Sequence, residues 1–136
     1  MSYLTLSSPR GRLSLLAVCS AALMLPLSFS AGVIATPAMA LQPGASPLAL
    51  SWITNAFLLS FGSLLMAAGS LADRYGRKRL FISGVSFFTL LSLMSSWVPS
   101  LVWLDVIRAL QGAAAAAGLA GGAAALSSAF DGEERA

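Results

Sequence analysis

Gly69-Ser70-Leu71-Ala72-Asp73-Arg74-Tyr75-Gly76-Arg77-Lys78-Arg79 lies between two long apolar runs, and its reading decides the fold. Four cations, one acid and a turn glycine share this corner. A chain that leaves hydrocarbon and re-enters it within a few residues must gather its polar atoms at the reversal. Short loops rich in Lys and Arg are retained on the cytoplasmic side. Gly76 can take the positive φ that a sharp reversal often needs. Asp73 is close enough in sequence to Arg74, Arg77 and Lys78 to offset part of their charge. The bland reading is a topology anchor, which any basic loop of this length would supply. The order of the residues is more specific than that role requires.

The composition agrees with a membrane chain. Of its 136 residues 57% are hydrophobic and 10% charged, and the mean hydropathy is +0.83. A soluble domain usually carries about 25% charged residues. The net charge of +3 comes from clusters at segment ends. That placement fits topology better than a nucleic-acid-binding face. Cys19 lies alone in an apolar run and there is no His, so neither a disulfide nor a metal site is expected. An enzyme is not expected either: no nucleophile–base pair or phosphate-cradling loop is present, and Gly121-Gly122 falls within a helical pattern.

Working outward from the corner, four apolar segments follow the length rule for membrane helices, ~20 residues at about 1.5 Å each. Leu13 to Ala35 is uncharged, with Pro26 inside it and Pro37 just beyond. Its rival reading is a secretory signal peptide, with Arg10 and Arg12 ahead and Ala38-Met39-Ala40 as the cleavage site. The apolar run is longer than the ~7–15 residues of such signals. Trp52 fits an interfacial aromatic at the start of the second helix. On that helix Asn55, Leu59, Gly62 and Met66 recur on one face, which either lines a polar path or hydrogen-bonds a neighbouring helix. The third segment is rich in Phe and Leu and reads as lipid-facing. The fourth is almost all Gly and Ala between Gly112 and Ala125. Gly112, Gly118 and Gly122 there suit close helix packing, or the run has no special role.

Asp105 and Arg108 share a face of the fourth helix at i, i+3. Ionisable residues inside a membrane are costly and by default mark a pathway or a partner. Arg108 is too deep for an interfacial anchor, though it could reach outward to Asp105. Asp105 is either part of that pathway or a boundary residue.

Cations fall on one side throughout. The expectation is therefore an all-α transmembrane fold, a four-helix bundle with both termini cytoplasmic. Residues 1–12 form a cytoplasmic N-terminus; 13–35, 52–72, 80–97 and 101–129 form the helices. Residues 73–79 form the cytoplasmic loop, and 130–136 a cytoplasmic tail that stops as if cut within a loop.

Gly69-x-Leu71-Ala72-Asp73-Arg74-x-Gly76-Arg77-Lys78 resembles the signature between helices two and three of the major facilitator superfamily of secondary transporters. Leu104-x-x-x-Arg108-x-x-Gln111-Gly112-x-Ala114-Ala115-Ala116 resembles the family's fourth-helix motif. Trp52-x-x-x-Ala56-x-x-Leu59 and Phe130-x-Gly132-x-Glu134-Arg135-Ala136 are similar to the drug:proton antiporter-2 branch, whose members have fourteen helices. The resemblance implies the N-terminal part of a transporter exporting small, drug-like molecules by proton antiport and alternating access. By the same resemblance Gly69, Asp73, Arg74, Gly76, Arg77 and Lys78 form a gating motif. Arg108 acts near the proton-linked step, with Asp105 and Asn55 on the proton or transport path. The branch often carries an acid where this chain has Ser28, and Asp105 is the candidate substitute. No cofactor is implied, only a proton gradient. The partners implied are the lipid bilayer, a small-molecule substrate and the remainder of the transporter, and no nucleic acid. Two alternatives stand beside this reading. One is a self-contained four-helix exporter acting as an oligomer, against which the lack of a Glu between Leu13 and Ala35 counts. The other is a non-transporting remnant or structural subunit.

Overall fold

A computed structural model describes residues 9–41 and 45–130. They form four helices: α1 (Pro9–Met39), α2 (Pro47–Tyr75), α3 (Arg77–Ser95) and α4 (Leu101–Phe130). The expected boundaries at 52 and 72 for the second helix are too narrow. Pro47 occupies the first turn, where a missing N–H costs nothing, and Ser46 caps it by accepting from Ala49 N at 3.1 Å. Pro43 and Gly44 of the expected outer loop lie outside the described residues.

The corner is tighter than the expected loop 73–79. α2 continues through Asp73 and Arg74, Gly76 alone is non-helical at φ 99°, and α3 starts at Arg77. Gly76 N donates to Ala72 O and Leu80 N to Gly76 O, both at 3.1 Å. The two helices therefore share one glycine, and the polar atoms expected in a loop lie on helical turns instead. A residue with a Cβ is strained at that φ.

Three helices are long and apolar enough to cross a membrane, over Gly11–Met39, Pro47–Tyr75 and Leu101–Ser127. α3 has 19 residues and opens on Arg77, Lys78 and Arg79. It runs antiparallel along α4, from Arg77 beside Ala124 to Ser92 beside Gln111. It lies alongside the stretch of α4 from Gln111 to Ala124. One face of α3 buries Gly84, Phe88 and Leu91. The other exposes Ile82, Phe87, Leu90 and Leu93, as suits lipid.

α4 is the central helix. Phe57, Phe88, Leu91, Ile107, Ala114 and Ala115 form the core cluster. Its small residues let two neighbours approach at backbone distance. A Cβ on Gly112 would press on Phe57 O, one on Gly84 would press on the Gly118 backbone, and one on Gly121 would lie 2.6 Å from Phe81 N. Gly122 packs on the Phe81 ring, 3.0 Å from where its Cβ would be. Such contacts supply the packing that drives association when lipid removes the hydrophobic incentive. α1 is the least embedded helix; among its described side chains only Gly11 and Gly32 are buried.

The two classes of glycine should separate in a stability measurement. Gly84→Ala or Gly121→Ala overpacks a backbone contact and is expected to cost about 1–3 kcal/mol. Gly62→Ala and Gly69→Ala meet nothing within 4 Å and should be neutral, or stabilising by up to ~1 kcal/mol through helix propensity. Denaturant titration of the four variants in detergent micelles reads both.

Candidate functional site

Arg108 lies about two turns into α4 and is only 7% exposed. Its guanidinium is held by four acceptors. Nε donates to Ile53 O at 3.1 Å, Nη1 to Ser28 Oγ at 2.8 Å and to Gln111 Oε1 at 3.4 Å, and Nη2 to Ser28 O at 3.0 Å. Its Cζ stands 5.1 Å from the centroid of the Phe57 ring, within cation–π range. Gln111, buried beside it, donates through Nε2 to Ser92 Oγ at 3.0 Å, and Ser92 Oγ donates to Phe88 O at 2.9 Å. One connected network thus joins α1 at Ser28, α2 at Ile53, α3 at Ser92 and α4 at Arg108.

Gly32 makes this geometry possible. A Cβ there would lie 2.6 Å from Arg108 Nη2. Ser28 and Gly32 stand one turn apart on α1, so one face offers both an acceptor and room. A cavity of about 400 Å³ adjoins the guanidinium. Ser28, Gly32, Ser92, Arg108 and Gln111 give it a polar side, and Met24, Leu27, Ala31, Ile53, Phe88 and Leu104 an apolar one.

Asp105 sits one turn further out. Its Oδ1 is buried and has no hydrogen-bond partner among the described residues. The i, i+3 spacing does not produce an ion pair with Arg108. The guanidinium turns inward, where Ser28 and Ile53 offer converging oxygens. Asn55 lies elsewhere. Ile53 and Phe57 face the core, and a residue midway between them points to the opposite side of the helix. Asn55 is exposed there with Leu59, Gly62 and Met66, away from the cavity lining.

A second polar cluster forms at the corner. Arg77 Nη1 donates to Ala124 O at 2.9 Å, and Nη2 to Asp73 Oδ1 at 3.3 Å. One fork therefore spans the end of α2, the start of α3 and the late turns of α4. The ion pair is exposed, with side chains 40% and 68% accessible, so its own energy is at most about 1 kcal/mol. Its value is positional. Arg74 lies 5.7 Å over the Tyr75 ring, and Lys78 is exposed.

A family model described as Major Facilitator Superfamily matches residues 16–136. The chain belongs to the Major Facilitator Superfamily. It is 36% identical over 103 residues to the cephamycin export protein of Amycolatopsis lactamdurans, covering 76% of this chain and 21% of that protein. It is 38% identical over 109 residues to the puromycin resistance protein of Streptomyces alboniger, covering 80% and 22%. It is 36% identical over 99 residues to the tetracenomycin C resistance and export protein of Streptomyces glaucescens, covering 73% and 18%. The chain spans about a fifth of the length of these curated relatives. As a superfamily member with apolar helices of spanning length it is a multi-pass integral membrane protein, and its bacterial relatives put it in the cell membrane.

The sequence of this superfamily chain singles out Arg108, Gly112, Gly118 and Gly122; Gly32 reads only as thinning one side of the first helix, and nothing local marks Gly84 or Ser92. The signal for Gly32 was its one-turn spacing from Ser28. Gly84 was the one glycine of its helix, and only its partner Gly118 gives it meaning.

Arg108→Lys keeps the charge and loses the fork. At least two of the four bonds go, each worth about 1.5–3 kcal/mol when one partner is ionised. The expected result is a loss of several degrees in Tm, read by tryptophan fluorescence in micelles, with α1 becoming the first segment cut in limited proteolysis.

Proposed function

We propose that this chain forms the first four helices of a secondary transporter that exports small, drug-like molecules by proton antiport, driven by protons moving down their gradient. The observation that carries the reading is the buried Arg108 network: an ionised side chain deep in a membrane helix, bonded across to α1, beside a cavity of about 400 Å³. Intramembrane charge is expensive and marks a transport path or a proton relay. The printed names of the relatives, export and antibiotic-resistance proteins, point the same way.

The mechanism is alternating access. The Ser28–Arg108 contact joins α1 to α4 beside the cavity, so it is the natural place for two arrangements to differ. Asp105 is the proton-binding group, with a buried oxygen that no neighbour satisfies. Protonation changes its charge and biases the two states. The Arg77 fork at the corner holds α2, α3 and α4 as one rigid body while α1 moves. The exposed α2 face bearing Asn55, Leu59, Gly62 and Met66 meets the remaining helices of the transporter. Both termini lie in the cytoplasm, the energy source is the proton gradient, and no cofactor takes part.

Asp105→Asn cannot bind or release the proton. Proton-linked efflux from proteoliposomes carrying the whole transporter is expected to fall at least tenfold with protein yield unchanged, and full activity would exclude Asp105 from coupling. The topology has its own check. With Cys19 replaced, Ser46→Cys should react with an impermeant maleimide in intact cells, whereas Lys78→Cys should react only after permeabilisation. Labelling of Lys78→Cys from outside would overturn the orientation.

A further inference from the structure

The Arg108 site is electrostatically incomplete. Every atom that accepts from its guanidinium is neutral: the Ser28 hydroxyl and carbonyl, the Ile53 carbonyl and the Gln111 amide oxygen. Among the described residues no carboxylate stands within ion-pair distance of it. The nearest acid on its own helix, Asp105, does not bond to it, and Asp73 pairs with Arg77 at the far end of the bundle. A buried cation bonded only to neutral oxygens and an aromatic face, with no carboxylate paired to it, keeps part of its field. In low dielectric that field is strong and unscreened. It acts first on the adjoining cavity, because Arg108 and Ser28 are themselves part of the lining.

The rest of that lining sets the shape of what fits. Its apolar lining includes Met24, Leu27, Ala31 and Leu104, and Ser92, Ser95 and Gln111 are the other hydrogen-bonding side chains. A volume of about 400 Å³ is within the ~300–1,000 Å³ of small-molecule sites. We infer that this cavity binds amphipathic monoanions, the acidic group seated against Arg108 and the apolar body against α1 and Leu104. The inference deepens the transporter reading by naming a substrate class, and rests on it only in taking the cavity as the substrate's site. One negative charge is what the site lacks. A cation would meet Arg108 unscreened, and a neutral analogue would forgo the charge-assisted bonds.

The probe pair is naphthalenesulfonate and its neutral near-isostere naphthalenesulfonamide, titrated onto the chain in nanodiscs of zwitterionic phosphatidylcholine. The unaltered chain is expected to bind the sulfonate at least about tenfold tighter than the sulfonamide. Arg108→Gln removes the cation and should abolish the preference. Ser28→Asp decides the matter even where that variant fails to fold. It places a carboxylate at the position now 2.8 Å from Nη1, so it should raise Tm while reducing the preference below about twofold. Equal affinity for the two probes in the unaltered chain, or binding of neither, would overturn the inference. So would a preference that survives in Ser28→Asp. These titrations need no gradient. An anion preference without proton-linked flux would therefore sink the antiport reading and leave this one standing.

Discussion

A guanidinium inside a membrane bundle must be solvated by the protein, and the arrangement of the four helices follows from how Arg108 meets that demand. Taking an ion out of water costs several kcal/mol even after relaxation. Here the compensation comes from oxygens on α1, α2 and α4, with Gln111 relaying to Ser92 on α3. No single helix could supply it. The requirement fixes the depth of α1 against α4 through Ser28, and the register of α2 through Ile53. Gly32 is the steric corollary, since the guanidinium occupies the space a side chain would need.

The packing around that site has a different physical origin. Lipid tails are as apolar as leucine, so burying Leu between helices gains little in a bilayer. Close backbone approach gains dispersion contacts over a long seam. α4 offers such seams on two sides, to α2 at Gly112 and to α3 at Gly118 and Gly121. The large side chains are consequently turned outward. Leu27, Ile34, Met66 and Phe87 are exposed, where a water-soluble bundle would hide them. α2, α3 and α4 share these seams and the Arg77 fork. α1 meets α4 at Ser28, which accepts twice from Arg108, and among its described residues it buries only Gly11 and Gly32.

The corner makes the same point at the other end. A loop would free its cations to solvent. A single glycine instead keeps Asp73 and Arg77 one turn apart in space across the junction, and lets Arg77 reach Ala124 O. Arg77, one of the four cations at this corner, ties three helices together, and the positive φ of Gly76 lets it do so.

By itself the sequence determined the helical class, the number of segments, the sharp reversal at Gly76 and the depth of Arg108 within its helix. These follow from local physics: unbroken apolar runs, clustered cations, a lone glycine in a polar corner and a charge where charge is costly. The tertiary structure decided whom Arg108 bonds. Spacing along α4 offered Asp105, one turn away, but the converging oxygens of Ser28 and Ile53 come from helices distant in sequence. It likewise decided that Asn55 faces outward and that Gly32, Gly84, Ser92 and Gly121 matter. A glycine or serine in an apolar helix looks alike in sequence whether it faces lipid or another backbone, and the difference exists only once the neighbouring helix is in place.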